Sequence, residues 1–195
     1  MDHLVIRDST SLALELPVNK TLAVFALGGG GGADRSSPGS SGFFKYAILD
    51  LSPGKKQLNI TIGDGGLDSQ DGLPTSLTID SVLLFTADGG GGVGRPGWTG
   101  ISTSDGQGTG GTNGQYGTGE TLPEMCGGLG LQPGAAGHGS TDGRGAGGVL
   151  VGQVNSPIRK PAKRHEQDGE GYGAGGGEDN LPGYPGVLVL MLCDK

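Results

Sequence analysis

The sequence predicts a mainly β fold, in which short strands and hairpins are joined to a bundle of glycine-rich polyproline II helices, with essentially no α-helix. Three observations predict it. Apolar residues are gathered in blocks of strand length instead of being spread along the chain. Glycine, 45 of 195 residues, fills the stretches between these blocks, and small residues recur there at every third position. No stretch of useful length carries a helical apolar period, and each glycine inside a helix would cost about 1 kcal/mol relative to alanine.

The blocks follow in order. Residues 12–16 (LALEL) alternate apolar and polar, as a half-buried strand does. Residues 21–27 (TLAVFAL) are apolar on both faces, the pattern of a strand covered on both sides. Residues 43–51 (FFKYAILDL) and 57–63 (QLNITIG) flank Pro53-Gly54. That pair supplies a fixed φ followed by an unrestricted one, which predicts a β-hairpin. Residues 76–80, 82–87, 148–152 and 186–193 complete the set of strands. The reading is one domain over 1–195, strand-rich to about residue 87, rich in polyproline II over about 88–185, and closed by the strand at 186–193.

Glycine and proline (45 and 11 residues) exceed a quarter of the chain, a composition usually associated with disorder. The segregation of the apolar residues argues instead for a folded chain. The glycine runs carry a phase. Gly91, Gly94, Gly97 and Gly100 stand three apart, and so do Gly108, Gly111, Gly114 and Gly117. Further runs are Gly30, Ala33, Ser36, Gly39 and Gly42; Gly63, Gly66, Ser69 and Gly72; and Gly134, Gly137, Ser140 and Gly143. Polyproline II has three residues per turn, so every third residue faces the same way and glycines there form a bare seam for a neighbouring helix. A buried bundle of this kind must exchange N–H···O=C bonds between segments, because polyproline II makes none within itself. Gly94→Val is therefore expected to destabilise the fold.

The layout resembles a known group. A strand enters a penta-glycine (TLAVFALGGGGG), a strand–PG–strand unit ends in ITIGDGG, and TADGGGGVG, GAGGVLVG, GEGYGAGGG and PGVLVLML follow. This resembles the glycine-rich modules of animal extracellular proteins, such as those of the anaplastic lymphoma kinase and leukocyte tyrosine kinase receptors. It is similar in style to the glycine-rich adhesins of T-even-type phage tail fibres and to snow-flea antifreeze protein. The resemblance implies a polyproline II bundle joined to β-hairpins. It transfers no single function, because these proteins signal, adhere or bind ice.

Charge and motifs narrow the function. A net charge of −7 and a pI near 4.8 argue against nucleic acid as a partner. No apolar run approaches the roughly 20 residues of a membrane-spanning helix. Residues 1–17 carry early acids and no continuous apolar run, unlike a signal peptide. GxGxxG matches are uninformative in so glycine-rich a chain, and no phosphate loop, HExxH or nucleophile-elbow motif occurs. The chain is expected not to be an enzyme and to need no cofactor or metal. Asp64, Asp68 and Asp71 read either as acidic turns or as oxygen donors to Ca²⁺, at a spacing that matches neither an EF-hand nor a calcium-binding nonapeptide repeat.

Cys126 and Cys193 read as a disulfide or as two unrelated buried thiols. Asn19 and Asn59 head N-x-T triplets and are candidate glycosylation sites in an extracellular protein. Arg159, Lys160, Lys163 and Arg164 form a basic cluster. It reads as a surface loop, as a docking site for an acidic surface such as another copy, an anionic polymer or a mineral, or as a processing site. Trp98, Tyr116, Tyr172 and Tyr184 lie among glycines and read either as contacts for a glycan or protein or as cover for the bundle's exposed backbone. The leading expectation is a non-catalytic extracellular structural module that self-assembles into filaments or matrix through strand and polyproline II edges. The alternative is an adhesin or receptor-ligand module whose loops bind on a rigid bundle. A minor alternative, ice binding, rests on the shared phase of Thr109, Thr112 and Thr118.

Overall fold

The structure, a computed structural model, describes residues 3–34, 39, 42–92, 97–101, 108–111, 129–133, 149–153, 172–173, 175–176 and 182–195. Among them every regular element is a strand. These are β1 (His3–Ile6), β2 (Thr10–Leu16), β3 (Lys20–Leu27), β4 (Phe44–Leu49), β5 (Gly54–Thr61) and β6 (Thr75–Ile79). They continue with β7 (Val82–Ala87), β8 (Gly97–Ile101), β9 (Gly108–Gly111), β10 (Leu129–Pro133), β11 (Val149–Gln153) and β12 (Val187–Asp194).

Two four-stranded antiparallel sheets carry the core, in the orders β1-β12-β3-β4 and β2-β5-β6-β7. Their inner faces meet. Ile6, Leu22, Val24, Ala26, Leu188 and Leu190 from the first sheet pack against Leu58, Ile60, Leu77, Ile79, Phe85 and Ala87 from the second. The second sheet alternates as a half-solvated sheet should, with Leu58 and Ile60 buried while Asn59 and Thr61 are exposed. The first sheet does not. Every residue of β3 from Leu22 to Leu27 and of β12 from Val187 to Met191 is buried, so both faces of this central pair are covered, as the continuous apolar pattern of 21–27 predicts. β3 and β12 pair along their whole lengths, from Lys20↔Asp194 to Leu27↔Val187. The Lys20–Asp194 ion pair (2.5 Å) closes the ladder at its exposed end, where screening leaves such a pair little net energy.

The structure corrects one expected hairpin. The strands on either side of Pro53-Gly54 do not pair with each other. β4 pairs with β3 in the first sheet, while β5 pairs with β2 and β6 in the second. Residues 50–53 form a corner between sheets, and Gly54 takes φ 111° where β5 begins opposite Leu16. A Pro-Gly turn reverses the chain but does not decide whether the next strand lies beside its predecessor or across the core. The open edges of β3 and β2 decide that. The tight hairpin is β6–β7 instead. Asp80 and Ser81 both have positive φ (48° and 68°), the signature of a two-residue turn matched to strand twist. Asp80 locks the turn to β5: its N–H donates to the Gln57 carbonyl (2.9 Å) and its Oδ1 accepts the Gln57 N–H (2.9 Å).

Leu77 is fully buried where β5 and β7 flank β6, opposite Ile60 and Phe85. Leu77→Ala is expected to lower stability by about 2–5 kcal/mol in urea denaturation followed by circular dichroism.

Candidate functional site

β3, β5 and β7 end at the same end of the sandwich from which β4, β6 and β12 start. The glycine segments connect these strands and occupy that end. At their centre, Gly28–Gly32 and Ala33 continue directly out of β3 and are buried throughout. Buried peptide groups need partners, and here they find them in the surrounding segments. The N–H groups of Gly28, Gly29, Gly30 and Gly32 donate to the carbonyls of Phe43 (2.9 Å), Leu73 (2.9 Å), Tyr184 (2.8 Å) and Gln70 (2.9 Å). The carbonyls of Gly29, Gly30, Gly31 and Ala33 accept from Gly90 (2.7 Å), Gly66 (2.8 Å), Gly176 (2.9 Å) and Ser69 (3.1 Å). Segments as far apart in sequence as Gly30 and Tyr184 thus converge on one six-residue stretch.

These bonds advance in steps of three. Gly66 and Ser69 donate to Gly30 and Ala33; Gly29 and Gly32 donate to Leu73 and Gln70. Gly39 and Gly42 donate to Gly176 and Gly173, and Gly183 and Gly186 donate to Gly66 and Gly63. The phases of Gly30/Ala33 and Gly63/Gly66/Ser69 seen in the sequence therefore meet each other directly. The spacing between segments admits no side chain. A Cβ on Gly29 would overlap the Asp64 carbonyl, one on Gly31 the Gly91 carbonyl, and one on Gly183 the Gly30 carbonyl.

Side chains seal the ends of this network. Thr75 is buried, and its Oγ1 accepts the Gly63 N–H (3.0 Å). Asp71 Oδ1 accepts the Gly92 N–H (2.8 Å). Asp68 and Ser69 form a left-handed turn closed by Gln70 N–H to Leu67 O (2.8 Å). Asp68 and Asp71 thus have structural uses, and among the described residues no three His, Cys, Asp or Glu side chains are grouped to hold a metal.

The same centre brings together two positions far apart in the chain. Gly91 packs against Gly31, and Gly176 donates to the Gly31 carbonyl. The stretch between them includes β8, β9, β10 and β11. Within it, β8 pairs with β9 and β10 with β11, each pair antiparallel.

The candidate residues fall into three groups. Gly91 belongs to the bundle. Gly97 and Gly100 lie in β8 and Gly108 and Gly111 in β9, with Gly97 opposite Gly111. The three-residue phase there predicts polyproline II, but these residues form an antiparallel ladder, which satisfies a glycine backbone equally well, so the phase does not distinguish the two. Trp98 lies in β8 opposite Gly110, and Thr109 lies in β9. Gly94, Gly114, Gly117, Tyr116, Cys126, Arg159, Lys160, Lys163, Arg164, Thr112 and Thr118 lie outside the described residues. Of the remaining aromatics, Tyr184 offers its carbonyl to Gly30, and Tyr172 joins Arg7. Arg7 Nε donates to the Tyr172 hydroxyl while its guanidinium stands 5.8 Å from the ring centre, and that hydrogen bond, with the charge interaction behind it, raises the Arg7 pKa. Cys193 is buried on β12, and no free cysteine occurs among the described residues. Asn19 is exposed in the turn before β3; Asn59 is exposed on β5, its Oδ1 accepting from Ser11 Oγ (2.6 Å). Sequence reasoning missed β1, a four-residue edge strand, and the Thr75 and Asp71 caps, which no local pattern marks.

A two-sheet β structure whose strand ends are knitted together by laterally bonded glycine segments defines a glycine-rich module. The chain belongs to the glycine-rich domain family, whose model matches residues 7–187 and so spans every segment of the bundle. The match carries no relationship to the receptor or tail-fibre modules. A search of the curated proteins found no match. Among the described residues no helix is long and apolar enough to cross a membrane.

Crowding and backbone conformation make separable demands on glycine here. Gly29→Val is expected to cost at least about 3 kcal/mol or prevent folding. Gly54→Ala, at a position with positive φ but open space around the Cβ, is expected to cost about 1–2 kcal/mol. Thermal and urea melts of the two variants side by side check the contrast.

Proposed function

We propose that this chain is a non-catalytic extracellular recognition module, in which a polyproline II bundle clamps the two ends of the excursion over residues 93–171 and presents it to a partner. The observation that carries this reading is the convergence of Gly91 and Gly176 on Gly31, which brings the two ends of that stretch to one point of the bundle. The three-residue step of the hydrogen bonds supports polyproline II as the geometry of the segments. Trp98, Tyr116 and the basic residues Arg159, Lys160, Lys163 and Arg164 all belong to the excursion, which makes it the stretch richest in candidate contacts. A glycan, anionic polymer or mineral surface fits an aromatic and basic set of this kind. Exposed Asn19 and Asn59 fit an extracellular setting, and a disulfide between Cys126 and Cys193 in that setting is part of the proposal.

Binding to a panel of glycans and anionic surfaces tests the reading. Reversing the four basic charges to Glu is expected to abolish binding at low salt while leaving the melting temperature within a few degrees. Unchanged binding would remove the basic cluster from the contact.

Self-association is the second reading. Ile48 on β4 and Val82, Leu83 and Leu84 on β7 are exposed on the two edge strands along one side of the sandwich. Both edges also carry features that discourage pairing. Lys45 of β4 extends over the Phe85 ring, 5.3 Å from its centre, and the β7 ladder shifts register so that Leu84 has no cross-strand partner. Leu83→Lys is expected to abolish any concentration-dependent association seen by sedimentation velocity.

A further inference from the structure

β12 is the last strand of the chain, yet it lies inside the first sheet, between β1 and β3. It pairs with all eight residues of β3 on one side and all four of β1 on the other. Val187 to Met191 are buried. The residues leading into β12 are seated by backbone: Gly176, Gly183 and Gly186 donate to the carbonyls of Gly31 (2.9 Å), Gly66 (2.9 Å) and Gly63 (2.8 Å). This seat is built by β1, β3 and the glycine segments up to Gly66, whereas residues 93–171 stand between it and the C-terminal segment in the chain. Pairings between such distant stretches form slowly, because loop closure must precede them. Until β12 arrives, β3 has an open edge with an apolar residue at every position from Leu22 to Leu27.

We propose that the slot between β1 and β3 also takes β12 from a second copy of the chain, giving an exchanged dimer in which each sandwich is completed by the other copy's C-terminal segment. The hydrogen bonds and buried contacts that seat β12 are the same, bond for bond, whichever copy supplies it. The choice between the two donors is therefore one of concentration. A tethered segment has an effective concentration that falls as its tether lengthens, and here the tether is residues 93–171. The register commits the slot to this occupant. Lys20 meets Asp194 at one end. At the other, the residue before Val187 must be glycine, because a Cβ on Gly186 would overlap the Leu27 carbonyl. Reciprocal exchange closes as a two-fold dimer and leaves no slot unfilled. Exchange requires β12 to be out of its slot, so it is fixed during folding. It is thus separate from reversible contact between folded copies at the β4 and β7 edges, and from recognition by residues 93–171.

The test is complementation between two full-length variants. Val24→Asp places a charge in the slot, and Leu188→Asp places one in the inserted strand. Both positions are fully buried, so each variant alone is expected to remain unfolded. Refolding the two together from urea is expected to restore about half of the wild-type β signal in circular dichroism, in a species of twice the monomer mass. One of its two sandwiches then combines an intact slot with an intact strand. Wild-type protein refolded at rising concentration is expected to give a rising fraction of dimer by size-exclusion chromatography, and that dimer should persist on dilution. A mixture that regains no β signal, or regains it as monomer, would overturn the proposal, as would wild-type protein that refolds as monomer at every concentration.

Discussion

Six consecutive buried residues, Gly28 to Ala33, have no strand partner of their own, and most of their peptide groups are paired with the surrounding chain. A buried peptide group left unpaired costs about 1–3 kcal/mol, so this stretch can exist only if other backbone reaches it from several directions. A Cβ on Gly28, Gly29, Gly31 or Gly32 would overlap the neighbouring backbone, and so would one on Gly66, Gly72, Gly89 or Gly183. Glycine is therefore required on at least one side of most contacts, while Phe43, Gln70, Leu73 and Tyr184 offer carbonyls from the other. The segments lie far apart in sequence but are tied together in space, because each runs directly into or out of a core strand. The apolar pairing of β3 with β12 and the stacking of the two sheets fix where those strands end. This placement offsets the large entropic cost of ordering so many glycines.

The arrangement makes bundle and sandwich one cooperative unit. The carbonyls of Leu73 and Tyr184, just before β6 and β12, accept from the central glycines. Thr75, the first residue of β6, caps Gly63. Disturbing the bundle therefore disturbs strand ends, and loosening the core disturbs the bundle. Among the described residues the bundle is held together largely by backbone hydrogen bonds, with side-chain caps from Asp71 and Thr75.

Much of the frame was legible in the residues. The alternation of β2 and β5 and the continuous apolar pattern of β3 and β12 are local patterns with local causes, and they appear where expected. So do the three-residue phases around Gly30 and Gly63, since they record a requirement for bare backbone at regular intervals. The corner at Pro53-Gly54 was not legible. Reversal of direction is a property of two residues, but the choice of sheet depends on the edges left open by β2 and β3. The glycine phase over β8 and β9 was equally silent, because a bare backbone suits a ladder as well as a polyproline II seam. Asp71 and Thr75 looked like ordinary loop and strand residues, and only the folded chain puts an N–H in front of each.

By itself the sequence determined the class of structure: strands, with no helix among the described residues, glycine segments that must be ordered against one another, and an acidic chain lacking any recognisable catalytic pattern. Those properties follow from composition and short-range periodicity, which act through backbone geometry and burial. The tertiary structure decided which strands share a sheet, that the penta-glycine is the centre of the bundle, and that Gly91 and Gly176 meet. Each of these is a pairing between distant segments. Its energy depends on the register and hydrogen-bond satisfaction of the whole assembly, which no local stretch of residues encodes.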